Sequence, residues 1–98
     1  MSERASRERE AAERLATEAL LWLAERPEEM AGFLGWSGAA PETVRARACD
    51  PAFLGFALDF VLLDEARARA FSLAAGFGPE EALRARAALP GGDAPHWS

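Results

Sequence analysis

Two residue types that often carry enzymatic chemistry occur once each in this 98-residue chain, Cys49 and His96, and tyrosine and lysine are absent. Ser2, Ser6, Ser37, Ser72 and Ser98 lack the G-x-S-x-G context that exposes a nucleophilic hydroxyl on a strained turn. Cys49 and His96 would form a thiolate–imidazole pair only if the C-terminal tail folded back over the body. Cys49 is instead expected to be a small buried apolar side chain. Asp93, His96, Cys49 and Asp50 include metal-ligating types, but they lack ligand spacing on any one element. No catalytic residue, metal or cofactor is therefore expected.

Asp59 stands out for a different reason. It interrupts the most apolar stretch of the chain, Phe53 to Leu63, with Leu58, Phe60 and Val61 around it. Taking a carboxylate out of water costs several kcal/mol unless it is paired. The partners on offer are the arginines of two R-A-R segments, Arg45, Arg47, Arg84 and Arg86. Residues i and i+2 of a helix point about 200° apart, so one arginine of each pair is expected to face inward and the other outward. The expected role is a structural ion pair.

Those arginines also raise a nucleic-acid reading, because the segment from Pro27 to Ala48 resembles a helix-turn-helix with a basic second helix. The charge balance opposes it. The net charge is −5 and the pI about 4.8, whereas phosphate binding needs a local positive excess. A nucleic-acid-associated regulator is thus the alternative, and an enzyme the third choice. The first choice is a non-catalytic protein-interaction or scaffold module. Tryptophan is among the commonest interface anchors, and Trp36, Phe77, His96 and Trp97 lie in or beside glycine- and proline-rich breaks. They form the candidate interaction surface, for a protein partner or for a second copy of the chain.

The elements that position these residues read as helices throughout. Leu15, Ala16, Ala19, Leu20, Trp22 and Leu23 line one broad face at helical spacing. Pro27, Pro41, Pro51 and Pro79 suit first helical positions. Asp50 and Asp64 suit N-caps, and glycines 38 and 76 suit helix ends. Period-2 alternation is not found. The fold class is all-α: a compact bundle of five to six short helices in a single domain, residues 1–98. Residues 1–10 form a polar helix start and residues 90–98 a Gly/Pro tail.

The chain also matches itself. Trp22 and Phe60, Phe33 and Phe71, Gly38 and Gly76, and Pro41 and Pro79 are each 38 residues apart. This spacing offers one arrangement of the bundle, two pseudo-symmetric three-helix halves. Half the residues are apolar, enough for a real core. The longest apolar run is shorter than the roughly 20 residues a bilayer span needs. The first ten residues lack a signal-peptide h-region. No membrane association and a cytoplasmic location are expected.

Over nearly the whole chain after the charged start, visibly in the run from Asp50 to Trp97 and most distinctively in the tail P-G-G-D-x-P-H-W, the sequence resembles a family of small alphaproteobacterial proteins of unknown function. The resemblance implies an all-helical cytoplasmic protein and brings no activity, cofactor or site residue with it.

Overall fold

The computed structural model describes residues 3–90. Six helices follow one another: α1 (Glu3–Ala24), α2 (Pro27–Ser37), α3 (Pro41–Arg47), α4 (Pro51–Leu63), α5 (Glu65–Ala75) and α6 (Pro79–Ala88). No strand occurs among the described residues, and the all-α bundle is the fold. The tail residues Asp93, His96 and Trp97 lie outside the described residues.

Local chemistry explains the boundaries. Proline occupies the first turn of α2, α3, α4 and α6, where its missing N–H has no intrahelical acceptor to lose. Asp50 Oδ1 accepts from the Ala52 N–H at 3.0 Å. Asp64 Oδ1 accepts from Ala66 at 2.8 Å and Arg67 at 3.3 Å. Glu81 Oε1 reaches back to the Gly78 N–H at 2.7 Å, the carboxylate half of a capping box. Two helices end alike: Gly38 and Gly76 adopt φ 77° and 82°, and their N–H groups donate to Leu34 O and Ser72 O.

Helices α1 and α4 pack on one another at the centre, α6 lies along α1, and α2 and α5 cover the remaining faces. Much of the central contact is built from small residues. Ala12, Ala16, Ala19, Ala57, Ala82 and Ala85 are all buried, which suits close helix approach. Phe33, Phe71, Leu23, Leu58 and Val61 fill the interior. The radius of gyration, 12.8 Å, is that of one compact body of this length, about 13 Å.

A shift of 38 residues carries α2 onto the span of α5, and the αL glycines and helix-starting prolines onto one another. Trp22 and Phe60 are both buried, as are Phe33 and Phe71. The correspondence breaks at α3. Helix α6 packs on α1, α4 and α5, whereas α3 buries no residue fully. The reason lies in helix length. Residues 3–12, which extend α1 towards α6, correspond to residues 41–50, which are α3 itself and the turn into α4. Helix α4 therefore has no N-terminal extension for α3 to lie along.

Two expectations are corrected here. Cys49 is exposed, not buried, because it sits in the uncovered turn between α3 and α4. Arg45 and Arg47 are both exposed, because α3 turns Val44 toward the core and Arg47 is held at the surface by Asp50.

Candidate interaction groove

The groove is built around an ion pair. Asp59 lies on α4 and Arg86 on α6, with side chains 22% and 13% exposed. Arg86 Nε donates to Asp59 Oδ1 at 2.5 Å and Nη2 to Oδ2 at 2.9 Å, the two-pronged geometry a planar guanidinium favours. Arg86 Nη1 donates to Pro90 O at 3.1 Å. The guanidinium lies over Gly55, where a Cβ would meet Nη1 at 3.0 Å. Of the four arginines expected as partners of Asp59, only Arg86 takes the role. Arg84 is exposed on the other side of α6, Arg45 is exposed on α3, and Arg47 binds Asp50. For the second R-A-R segment the inward–outward rule holds.

Beside Asp59 opens a groove of about 570 Å³, lined by Trp36, Ser37, Phe56, Asp59 and Leu63. Trp36 occupies the last turn of α2, just before Gly38 redirects the chain. Its ring centroid is 5.6 Å from Phe60 and 6.4 Å from each of Phe56 and Phe33. This aromatic cluster fixes one side of the indole, while 43% of the residue stays exposed. Leu63, at the end of α4, is 62% exposed.

Phe77 does not share this groove. It is half-buried, stacked on Phe71 at 6.2 Å, and borders a separate hollow of about 430 Å³ between α1 and α6 with Glu8, Leu15, Glu81 and Arg84. Trp36 and Phe77 are therefore two sites. Cys49 borders a third hollow with Glu10, Glu13, Arg14 and Thr17. The Cys49–His96 pairing reaches into residues that are not described. Among the described residues no three His, Cys, Asp or Glu side chains cluster as a metal site. At the α3–α4 turn, Arg47 donates to Asp50 through Nε and Nη2. That hydrogen bond, helped by the Ala52 N–H, holds the Asp50 carboxyl below its ordinary range.

A second inter-helix ion pair escaped the sequence reading. Arg67 Nε donates to Glu29 Oε1 at 2.8 Å, its Nη1 donates to Phe60 O at 2.9 Å, and the guanidinium lies 4.0 Å from the Phe60 ring centroid. Arg26 treats Trp22 similarly, donating to its carbonyl at 3.0 Å and lying 4.5 Å from its ring centroid. Each of the two matched aromatics thus carries a guanidinium, a cation–π contact. The available signal was the 38-residue separation of Glu29 and Arg67. Nearby, the Trp22 indole N–H is buried without an acceptor among the described residues.

A family model described as "Protein of unknown function (DUF3572)" matches residues 9–92. The chain belongs to this family. The DUF3572 match takes in α2 to α6 entirely and all of α1 beyond its first two turns. It stops before Asp93, so the distinctive D-x-P-H-W end lies beyond it. No curated protein and no solved structure matches the chain.

Proposed function

We propose that this DUF3572 protein is a non-catalytic protein-interaction or scaffold module and that its contact surface is the Trp36 groove. One observation carries the reading: Trp36 and Leu63, both substantially exposed, share a single groove with Phe56. Isolated exposed leucines are ordinary on any surface, whereas contiguous exposed apolar side chains mark contact sites. Tryptophan pinned by neighbouring rings loses little freedom on binding, which favours it as an anchor. The Asp59–Arg86 pair gives the groove a polar edge. The exposed, unpaired Cys49 suits a reducing compartment such as the cytoplasm. The matching helix ends and prolines of the two halves support an internal duplication, with α3 and α6 as divergent copies of one segment.

The test is site-specific photo-crosslinking in the native cell. A photoreactive residue at position 63 is expected to give a discrete protein adduct that Trp36→Ala weakens, and one at exposed position 73 to give none. Equal labelling at both positions would sink the reading. The nucleic-acid alternative has less support, because α3 has only seven residues, short for a helix that must reach several base edges. Duplex DNA binding at low salt with a steep salt slope would revive it.

A further inference from the structure

We propose that in the free protein the chain's own C-terminal segment, Asp93 to Ser98, occupies the Trp36 groove, with Trp97 as its anchor. The inference rests on reading that groove as a docking surface. Its warrant is where the described chain ends and what it ends against. Leu89 leaves α6 in an extended conformation, φ −97° and ψ 159°. The next carbonyl, Pro90 O, is then held by Arg86 Nη1 at 3.1 Å. The same carbonyl lies 3.4 Å from where a Gly55 Cβ would stand. The chain therefore leaves α6 across α4, one helical turn from Asp59. A single guanidinium separates the Pro90 carbonyl from the carboxylate that edges the groove.

Length agrees with this. Seven residues separate Pro90 from Trp97 inclusive of the latter, a reach of at most about 23–25 Å when extended. That covers the neighbourhood of Asp59 with slack for a turn at glycines 91 and 92. It does not cover the 39 Å long axis of the body. Two other hollows border the same helices, one between α1 and α6 and one at Cys49 that reaches Leu54; the second is rimmed by Glu10, Glu13, Arg14 and Glu18 and offers Leu54 as its large apolar side chain. The hollow between α1 and α6 is lined by five alanines, Leu15 and the single ring of Phe77, with Glu8, Glu81 and Arg84, and that ring is already stacked on Phe71. The Trp36 groove instead offers two large rings and Leu63, which match an indole in size and polarity.

The experiment uses the full chain, isotopically labelled, with the indole N–H resonances of its tryptophans resolved by NMR. Trp97→Ala is expected to shift the Trp36 indole cross-peak and leave that of buried Trp22 in place. Contacts from the Trp97 ring to Phe56 are expected in the parent and lost in Leu63→Glu, a change at an exposed position. A Trp36 resonance indifferent to Trp97→Ala would overturn the proposal. So would ring contacts seen only between differently labelled copies, which would give the groove to a second molecule. The crosslink at position 63 fails or succeeds independently. An adduct there with an indifferent Trp36 resonance removes the tail but keeps the partner surface. A Trp97–Phe56 contact with no adduct, even in Trp97→Ala, removes the partner surface.

Discussion

Arg86 binds Asp59 with two nitrogens and the Pro90 carbonyl with the third, so one guanidinium ties α4, α6 and the exit of the chain together. Removing one partner of a buried pair leaves the other charge uncompensated and costs about 3–5 kcal/mol. Here about a fifth of the Asp59 side chain remains in water, so Asp59→Ala is expected to cost about 2–4 kcal/mol. Asp59→Leu combined with Arg86→Met should recover most of that loss. Urea unfolding of the single and double variants checks both. A single substitution that leaves the midpoint unchanged would show the pair to be fully solvated.

Gly55 is conditioned by the same guanidinium. In an exposed helix interior, glycine to alanine gains about 1 kcal/mol. At position 55 the new Cβ meets Arg86 Nη1 at 3.0 Å and Pro90 O at 3.4 Å, and Arg86 cannot yield without loosening its bonds to Asp59. Gly55→Ala is therefore expected to destabilise the native chain and to stabilise an Arg86→Ala background. The same sign in both backgrounds would contradict the argument.

The fold was legible in the sequence because its punctuation is local. Pro27, Pro41, Pro51 and Pro79 start helices, Asp50 and Asp64 cap them, and Gly38 and Gly76 end them, all through chemistry within four residues. The partner of Asp59 was legible only as one of four arginines. Choosing Arg86 requires knowing that α6 packs on α4 whereas α3 turns Val44, not an arginine, toward the core, and the place of α6 depends on how far α1 extends past α4. Cys49 was misread for the same reason, since a cysteine before an apolar helix suggests burial until the turn proves to have no cover. Trp36 could be singled out by its glycine-rich surroundings. Its companions Phe56 and Leu63 could not, because α2 meets α4 only in three dimensions. Phe77, grouped with Trp36 on local grounds, belongs to another hollow.

Gly38 and Gly76 provide a test of the two helix ends. Both hold φ near +80°, a region that costs a residue with a Cβ about 1–2 kcal/mol. Neither would bring a Cβ within 4 Å of other atoms, so the backbone penalty is isolated from any clash. Gly38→Ala and Gly76→Ala are each expected to lower stability by about 1–2 kcal/mol, by similar amounts, measured by thermal or urea unfolding. A neutral result at either would mean that helix end relaxes out of the left-handed region.

Asp50 makes the acid limb of stability testable at a single residue. Its carboxyl is held below the ordinary range first by the Arg47 hydrogen bond and then by the Ala52 N–H. Both interactions are stronger with the ionised form. The unfolded chain binds its proton near the ordinary aspartate value of about 3.9, and the folded chain only at lower pH. The stabilisation is therefore complete above the unfolded value and is lost as pH falls through the folded one. A carboxyl titration followed by NMR should place the Asp50 midpoint below about 3.9, and Arg47→Ala should move it upward. Asp50→Asn keeps an N-cap acceptor but removes the proton linkage. The stability difference between parent and Asp50→Asn should then shrink as the solution is acidified through that midpoint. A difference constant from neutral pH down through the titration would show that the charge of Asp50 contributes nothing and that its role is the cap alone.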